Sequence, residues 1–147
     1  LFFSGSNDFA FPFDALRKSY RAVPAAGRRL SVRLAYPHNH TECWSEETVF
    51  DFAAASLEGR ALPSLARPEI AGETVRCGFD AAGAGGVSGV LNFTRASGMW
   101  PDRAWSSVPA RIEGGAFTAP LPRGAKAVFF NLLTADGRCY SSEFIEC

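Results

Sequence analysis

The stretch Leu1-Phe2-Phe3-Ser4-Gly5-Ser6-Asn7-Asp8-Phe9-Ala10-Phe11-Pro12 decides how the amino-terminal part of the chain folds. Its opening apolar run predicts a short buried strand. A polar loop that contains glycine and an acid follows, and Pro12 marks its end. Asp8 therefore lies directly after a strand, at the edge of a sheet where loops converge on functional sites.

Outward from this stretch, the first 60 residues alternate between strand and helix patterns. Residues 14–23 predict a short helix that Asp14 caps, and residues 29–36 predict the next strand. Residues 45–47 predict the start of a second helix, which Gly59 ends. This alternation predicts a parallel sheet with helices packed on it, and two strands need neighbours to be stable. We therefore expect a missing amino-terminal portion, or a self-associated copy of the chain, to complete the sheet.

The second half of the chain has a different pattern. Residues 60–72 are punctuated by glycine and proline and predict a linker. Six or seven short β-type runs separated by turn signals follow in residues 73–147, and Asp136-Gly137 is typical of a hairpin. The fold class we predict is α/β plus all-β. Residues 1–59 would form the terminal strand-helix-strand-helix portion of an α/β sheet, and residues 73–147 a small antiparallel β-sandwich.

Composition excludes several classes of partner. Fifteen basic and fifteen acidic residues cancel, and no five like charges are consecutive, so we expect no nucleic acid partner. No apolar run approaches the roughly 18 residues that cross a bilayer, so we expect no membrane partner. The four cysteines lack the paired spacing of a zinc site, and we expect no cofactor. One disulfide would suit an exported protein, but the compartment stays open.

Two histidines follow the second predicted strand, in Tyr36-Pro37-His38-Asn39-His40. An acid after one strand and a histidine after the next supply two parts of a Ser-His-Asp triad, in which the acid fixes the imidazole tautomer and the histidine moves the proton. We predict Asp8 as the acid and His40 as the base. His40 is preferred to His38 because three residues beyond Pro37 leave room for the loop to turn back toward the acid. An Asx turn is the structural alternative for Asp8.

These segments resemble the carboxyl-terminal end of bacterial α/β-hydrolases of the acetyl xylan esterase-like and related families. Residues 4–12 look like their acid-bearing loop, and residues 37–40 look like a Pro-His-Gly-His version of their histidine loop. The later segment, including residues 98–105 and 129–132, is similar to the small immunoglobulin-like domain that follows some of these hydrolases. The resemblance implies a serine esterase whose substrate is a small carboxylic ester, with an acetylated carbohydrate as the narrower expectation.

The chain departs from these families at the nucleophile. They carry a Gly-x-Ser-x-Gly elbow before the acid, and this chain has none. Gly86-Val87-Ser88-Gly89-Val90 is the nearest match, but it has Val in place of the closing Gly and lies after the histidine. We therefore expect a carboxyl-terminal fragment of a serine esterase that carries the triad acid and histidine, lacks the nucleophile, and is inactive alone.

Two other classes of function remain open. His38-Asn39-His40 places two imidazoles at alternating positions near Glu42 and Cys43, which would suit a transition metal. Trp100 and Trp105 could instead form an aromatic platform for sugar rings in a non-catalytic binding module, although such tryptophans more often anchor a core.

Overall fold

The computed structural model describes residues 1–36 and 38–147, of which 36% lie in strands and 21% in helices. Pro37, part of the predicted histidine loop, lies outside the described residues. The helices are α1 (Phe13–Ala22), α2 (His40–Trp44) and α3 (Glu47–Glu58), and Trp100–Asp102 forms a 3₁₀ turn. The strands are β1 (Phe2–Gly5), β2 (Leu30–Arg33), β3 (Ser64–Leu65), β4 (Glu69–Ala71), β5 (Thr74–Asp80), β6 (Ser88–Thr94), β7 (Trp105–Glu113), β8 (Ala116–Pro120), β9 (Ala127–Leu133), β10 (Cys139–Ser141) and β11 (Ile145–Glu146).

The strands β1 and β2 form a two-stranded parallel sheet, in register from Phe2 opposite Leu30 to Gly5 opposite Arg33. Helix α1 connects them and buries Phe13 and Leu16, one turn apart on the same face. The Phe13 ring is 1% exposed and contacts four other aromatic rings, which belong to Trp100, Trp105, Phe129 and Phe144. This cluster packs α1 against the β-rich part of the molecule.

The remaining strands form one antiparallel sheet that is barrel-like and nearly closed. Its strands follow the order β10-β9-β6-β7-β8-β5-β3, while β11 also pairs with β9 and β4 with β5. Strand β7 joins the two halves of this sheet: residues 105–110 pair with β6, and residues 111–113 pair with β8. The change of partner follows Pro109, which has no amide hydrogen to give to a ladder.

The predicted fold class is wrong. The first 59 residues contain the expected strand-helix-strand order. Among the described strands, however, β1 and β2 pair only with each other, so they form no α/β-hydrolase sheet. The predicted β-sandwich is also wrong, because β7 connects its strands into a single barrel-like sheet. The stretch predicted as a linker contains β3 and β4, both of which pair with β5. The molecule is therefore mostly β.

Contacts between side chains and backbone hold β2 against the β-rich sheet. Ser141 Oγ lies 2.7 Å from the amide nitrogen of Val32, and Asn131 Nδ2 donates to the carbonyl of Val32 at 3.1 Å. Buried Glu46, the cap of α3, pairs with Arg33 of β2 at 2.6 Å. Burial alone would raise the pKa of the Glu46 carboxyl, but hydrogen bonds from Arg33 and Thr48 hold it below its ordinary value. These contacts fix the strand that leads into the histidine loop.

Candidate functional site

Asp8 lies in the loop after β1, and its side chain is buried with 7% of its surface exposed. One carboxylate oxygen, Oδ1, accepts hydrogen bonds at 2.8 Å from the amides of Ala10 and Phe11. This is the Asx-type turn that was the structural alternative for Asp8. It uses only one of the two oxygens, so Oδ2 stays available for a second role.

His38 takes up the second oxygen. Its Nδ1 lies 2.9 Å from Asp8 Oδ2, across the gap between the loops that follow β1 and β2. Burial alone would raise the pKa of Asp8, but hydrogen bonds from His38, Phe11 and Ala10 hold that pKa below its usual range. Asp8 is therefore ionised near neutral pH and can only accept a hydrogen bond, so Nδ1 of His38 carries the proton.

That assignment determines what His38 can do chemically. With the proton on Nδ1, the lone pair of a neutral imidazole is on Nε2. No hydrogen bond to Nε2 occurs within residues 1–36 and 38–147, and the side chain is 37% exposed. The described residues thus leave Nε2 able to accept a proton while a buried carboxylate orients the ring, a geometry similar to that of the acid and histidine of a triad.

His40, the predicted base, is not the histidine that contacts Asp8. It is the first residue of α2 and is exposed, and its side chain makes no hydrogen bond or ion pair to the described part of the chain. The side chain of Asn39 caps this helix by accepting from the Glu42 amide at 3.0 Å. An Asn followed three residues later by Glu is a helix-start signal, and it places His40 inside the helix. This signal, which the sequence analysis missed, favours His38 as the residue that faces Asp8.

Two phenylalanines flank the imidazole. The ring centroids of Phe9 and Phe11 lie 5.2 Å and 5.8 Å from that of His38. Both side chains are largely exposed, at 72% and 61%. The imidazole of His38 therefore lies beside an apolar surface that belongs to the same loop as Asp8.

The two loops approach each other closely at Gly5. A Cβ placed there would lie 2.2 Å from the carbonyl oxygen of Tyr36, far inside any normal contact. Ala35, just before Tyr36, has a φ of 49°, which is unusual for a residue with a side chain. The site thus requires glycine at the end of β1 and a left-handed turn in the loop after β2.

No nucleophile accompanies the pair in the described residues. Ser4 Oγ lies 3.2 Å from Asp8 Oδ2, so its contact is with the acid, and no serine hydroxyl in the described chain bonds to His38. Ser88 begins β6 opposite Leu133 and is part of the β-rich sheet. Within the described residues, the site therefore consists of Asp8 and His38 without a serine bonded to the imidazole.

The other two hypotheses gain no support from the geometry. Within the described residues, no group of three or more His, Cys, Asp or Glu side chains is placed to hold a metal ion. The Trp100 ring packs on Phe144 at 4.4 Å and lies beneath the guanidinium of Arg103 at 3.6 Å. It also stacks with Trp105 at 6.4 Å. The Phe144 ring and the Arg103 guanidinium thus cover the Trp100 indole, on which a sugar ring would have to stack.

Comparisons with protein-family models, curated proteins and solved structures give no match, so the function must follow from the chemistry of the site. None of the helices in the described residues is long and apolar enough to span a membrane.

Proposed function

We propose that Asp8 and His38 are the acid and base of a serine carboxylic-ester hydrolase, and that a polypeptide segment outside this chain supplies the nucleophile. The observation that carries the proposal is the 2.9 Å contact between Nδ1 and the buried carboxylate, while no described residue is hydrogen-bonded to Nε2. An acetylated carbohydrate remains the narrower substrate hypothesis, supported only by the sequence resemblance.

In this reaction Nε2 of His38 removes the proton of the serine hydroxyl as its oxygen attacks the ester carbonyl. The imidazolium then gives that proton to the departing alkoxide, which leaves an acyl-enzyme. In the second half-reaction Nε2 takes a proton from water as the water oxygen attacks the acyl carbonyl. The bond between the carbonyl carbon and the serine oxygen then breaks, the imidazolium returns the proton to that oxygen, and the carboxylic acid is released. Asp8 holds the tautomer and stabilises the imidazolium without being protonated.

The proposal is tested by measuring turnover of p-nitrophenyl acetate with the protein purified from its native source. We expect His38→Ala to lower kcat by about 100-fold or more, the usual contribution of a general base. The matched variant His40→Ala should leave kcat unchanged. The 147-residue chain alone should show no saturable turnover. A loss of activity confined to His40→Ala, or saturable turnover by the chain alone, would contradict the proposal.

A further inference from the structure

Two residues that precede Asp8 connect both loops of the site. Ser6 is 1% exposed, and its Oγ accepts a hydrogen bond from the amide of Ala35 at 3.1 Å. The same Oγ donates to Asn7 Oδ1 at 2.8 Å. Ser6 therefore joins the loop of Asp8 to the left-handed turn that leads to His38.

Asn7 extends this connection into the β-rich part of the molecule. Its Nδ2 donates to the carbonyl oxygens of Pro101 and Arg103, at 2.7 Å and 2.8 Å. Both hydrogens and the oxygen of the amide are thus used, and a flipped amide would place its oxygen against two carbonyls. Only one orientation of the Asn7 side chain satisfies these three partners.

The segment that receives Asn7 is itself well anchored. The guanidinium of Arg103 lies over the Trp100 ring and hydrogen-bonds to the carbonyl of Gly98 at 3.0 Å. Trp100 in turn packs on Phe13 and Phe144 in the core beneath α1. The 3₁₀ turn is therefore a fixed point from which the two loops are held.

We infer that Ser6 and Asn7 are positioning residues, and that their relay of hydrogen bonds sets the alignment of His38 with Asp8. Its catalytic meaning rests on the proposed function. Neither side chain touches the reacting atoms. Through this relay the β-rich part of the chain would help to position the site, because Asn7 is hydrogen-bonded to carbonyls in and just after the 3₁₀ turn at Trp100–Asp102.

Imidazole ¹⁵N NMR of the folded chain, labelled in histidine, tests this inference without any substrate. The chain has two histidines, so His40 is an internal reference for His38. In the wild type we expect the Nδ1–H tautomer and a slowly exchanging Nδ1 proton for His38. In Ser6→Ala and in Asn7→Ala we expect that proton to exchange about five- to tenfold faster, as the loss of one ordering hydrogen bond allows.

Ser107→Ala is the matched control. The Ser107 hydroxyl also donates to an asparagine oxygen, that of Asn92 at 2.7 Å, but this pair joins β6 to β7. It should leave the His38 signals unchanged. Near-UV circular dichroism of each variant reports whether the fold is retained.

The outcomes separate the inference from the proposed function. If wild-type His38 lacks the Nδ1–H tautomer, or Asp8→Asn leaves its signals unaltered, the proposed function fails. If the pair forms but both relay variants exchange at the wild-type rate, the relay fails alone. Unfolding of both relay variants, with Ser107→Ala folded, would also overturn the inference, because the relay would then support the fold rather than the alignment.

Discussion

A methyl group at Gly5 would test how closely the two loops of the site approach. In Gly5→Ala the new Cβ would lie 2.2 Å from the carbonyl oxygen of Tyr36, whereas ordinary contacts begin at 3.4 Å. The obstacle is backbone, which cannot rotate away as a side chain would. The loop after β2 must therefore retreat by roughly 1 Å, which shifts the segment that leads to His38.

Overpacking of this kind costs about 1–3 kcal/mol of unfolding free energy. With a urea m-value of about 2 kcal/mol/M, the midpoint should fall by roughly 0.5–1.5 M. The contact between Nδ1 of His38 and Asp8, now 2.9 Å, should open toward the distance at which a hydrogen bond is lost. The slowly exchanging Nδ1 proton should then disappear from the NMR spectrum.

Gly78→Ala is the matched control for the urea titration. Gly78 lies in β5, has an ordinary φ like Gly5, and an added Cβ would meet only the Ala66 Cβ, at 3.7 Å. This variant should be as stable as the wild type, or more stable by up to about 1 kcal/mol through its smaller unfolded-state entropy. Equal midpoints for the two variants, with the His38 proton retained in Gly5→Ala, would refute the close approach of the loops.

Three further predictions concern groups away from the site. Tyr140→Phe removes a hydroxyl that donates to buried Asp51 at 2.8 Å, so the free energy of unfolding from urea titration should fall by about 1–2 kcal/mol. An unchanged urea midpoint would contradict that hydrogen bond. The pKa of Glu46 is lower in the folded chain than its ordinary value of 4.5, so the ionised carboxylate stabilises the fold. That stabilisation is fully present above pH 4.5 and is lost as the pH falls through the lower pKa of the folded state. Glu46→Gln should therefore flatten the loss of stability in urea titrations below about pH 4.5, and an unchanged slope would refute this. Burial raises the pKa of Cys77 to about 12 and of Cys139 to about 11. A thiol reagent at pH 8 should therefore label these cysteines only after unfolding. Rapid labelling of the native chain would contradict their burial.

The sequence predicts individual elements of this fold better than their arrangement. The strand before Asp8 and the helix ended by Gly59 are present, since apolar runs and a left-handed glycine are local signals. The layout of the sheets depends on which strand edges meet, and no local pattern encodes that choice. Pro109 indicates where pairing can change within β7, because a proline cannot donate to the ladder, but it does not indicate which strand is the new partner.

For the candidate site too, local patterns in the sequence are informative and long-range contacts are not visible in it. The sequence can single out Asp8 as a candidate, because an acid after a buried strand is a local pattern, and the structure places this residue against His38. The preference for His40 rested on loop length and overlooked the helix cap at Asn39. The relay through Ser6 and Asn7 left no local signal, because its partners at Pro101 and Arg103 are more than 90 residues distant along the chain.

The acid and histidine meet even though the predicted α/β-hydrolase sheet is absent, and the register of β1 and β2 explains why. Gly5 lies opposite Arg33 in a parallel pair, so both strands end at the same edge and both loops begin side by side. Asp8 is three residues beyond Gly5 and His38 five beyond Arg33, within reach of each other once the Gly5–Tyr36 contact brings the backbones together. An acid–base pair of this kind therefore requires only two parallel strands in register, a glycine at their edge and a fixed point that holds the loops. The proposed function therefore depends on Nε2 of His38, to which no described residue is hydrogen-bonded, rather than on the shape of the sheet.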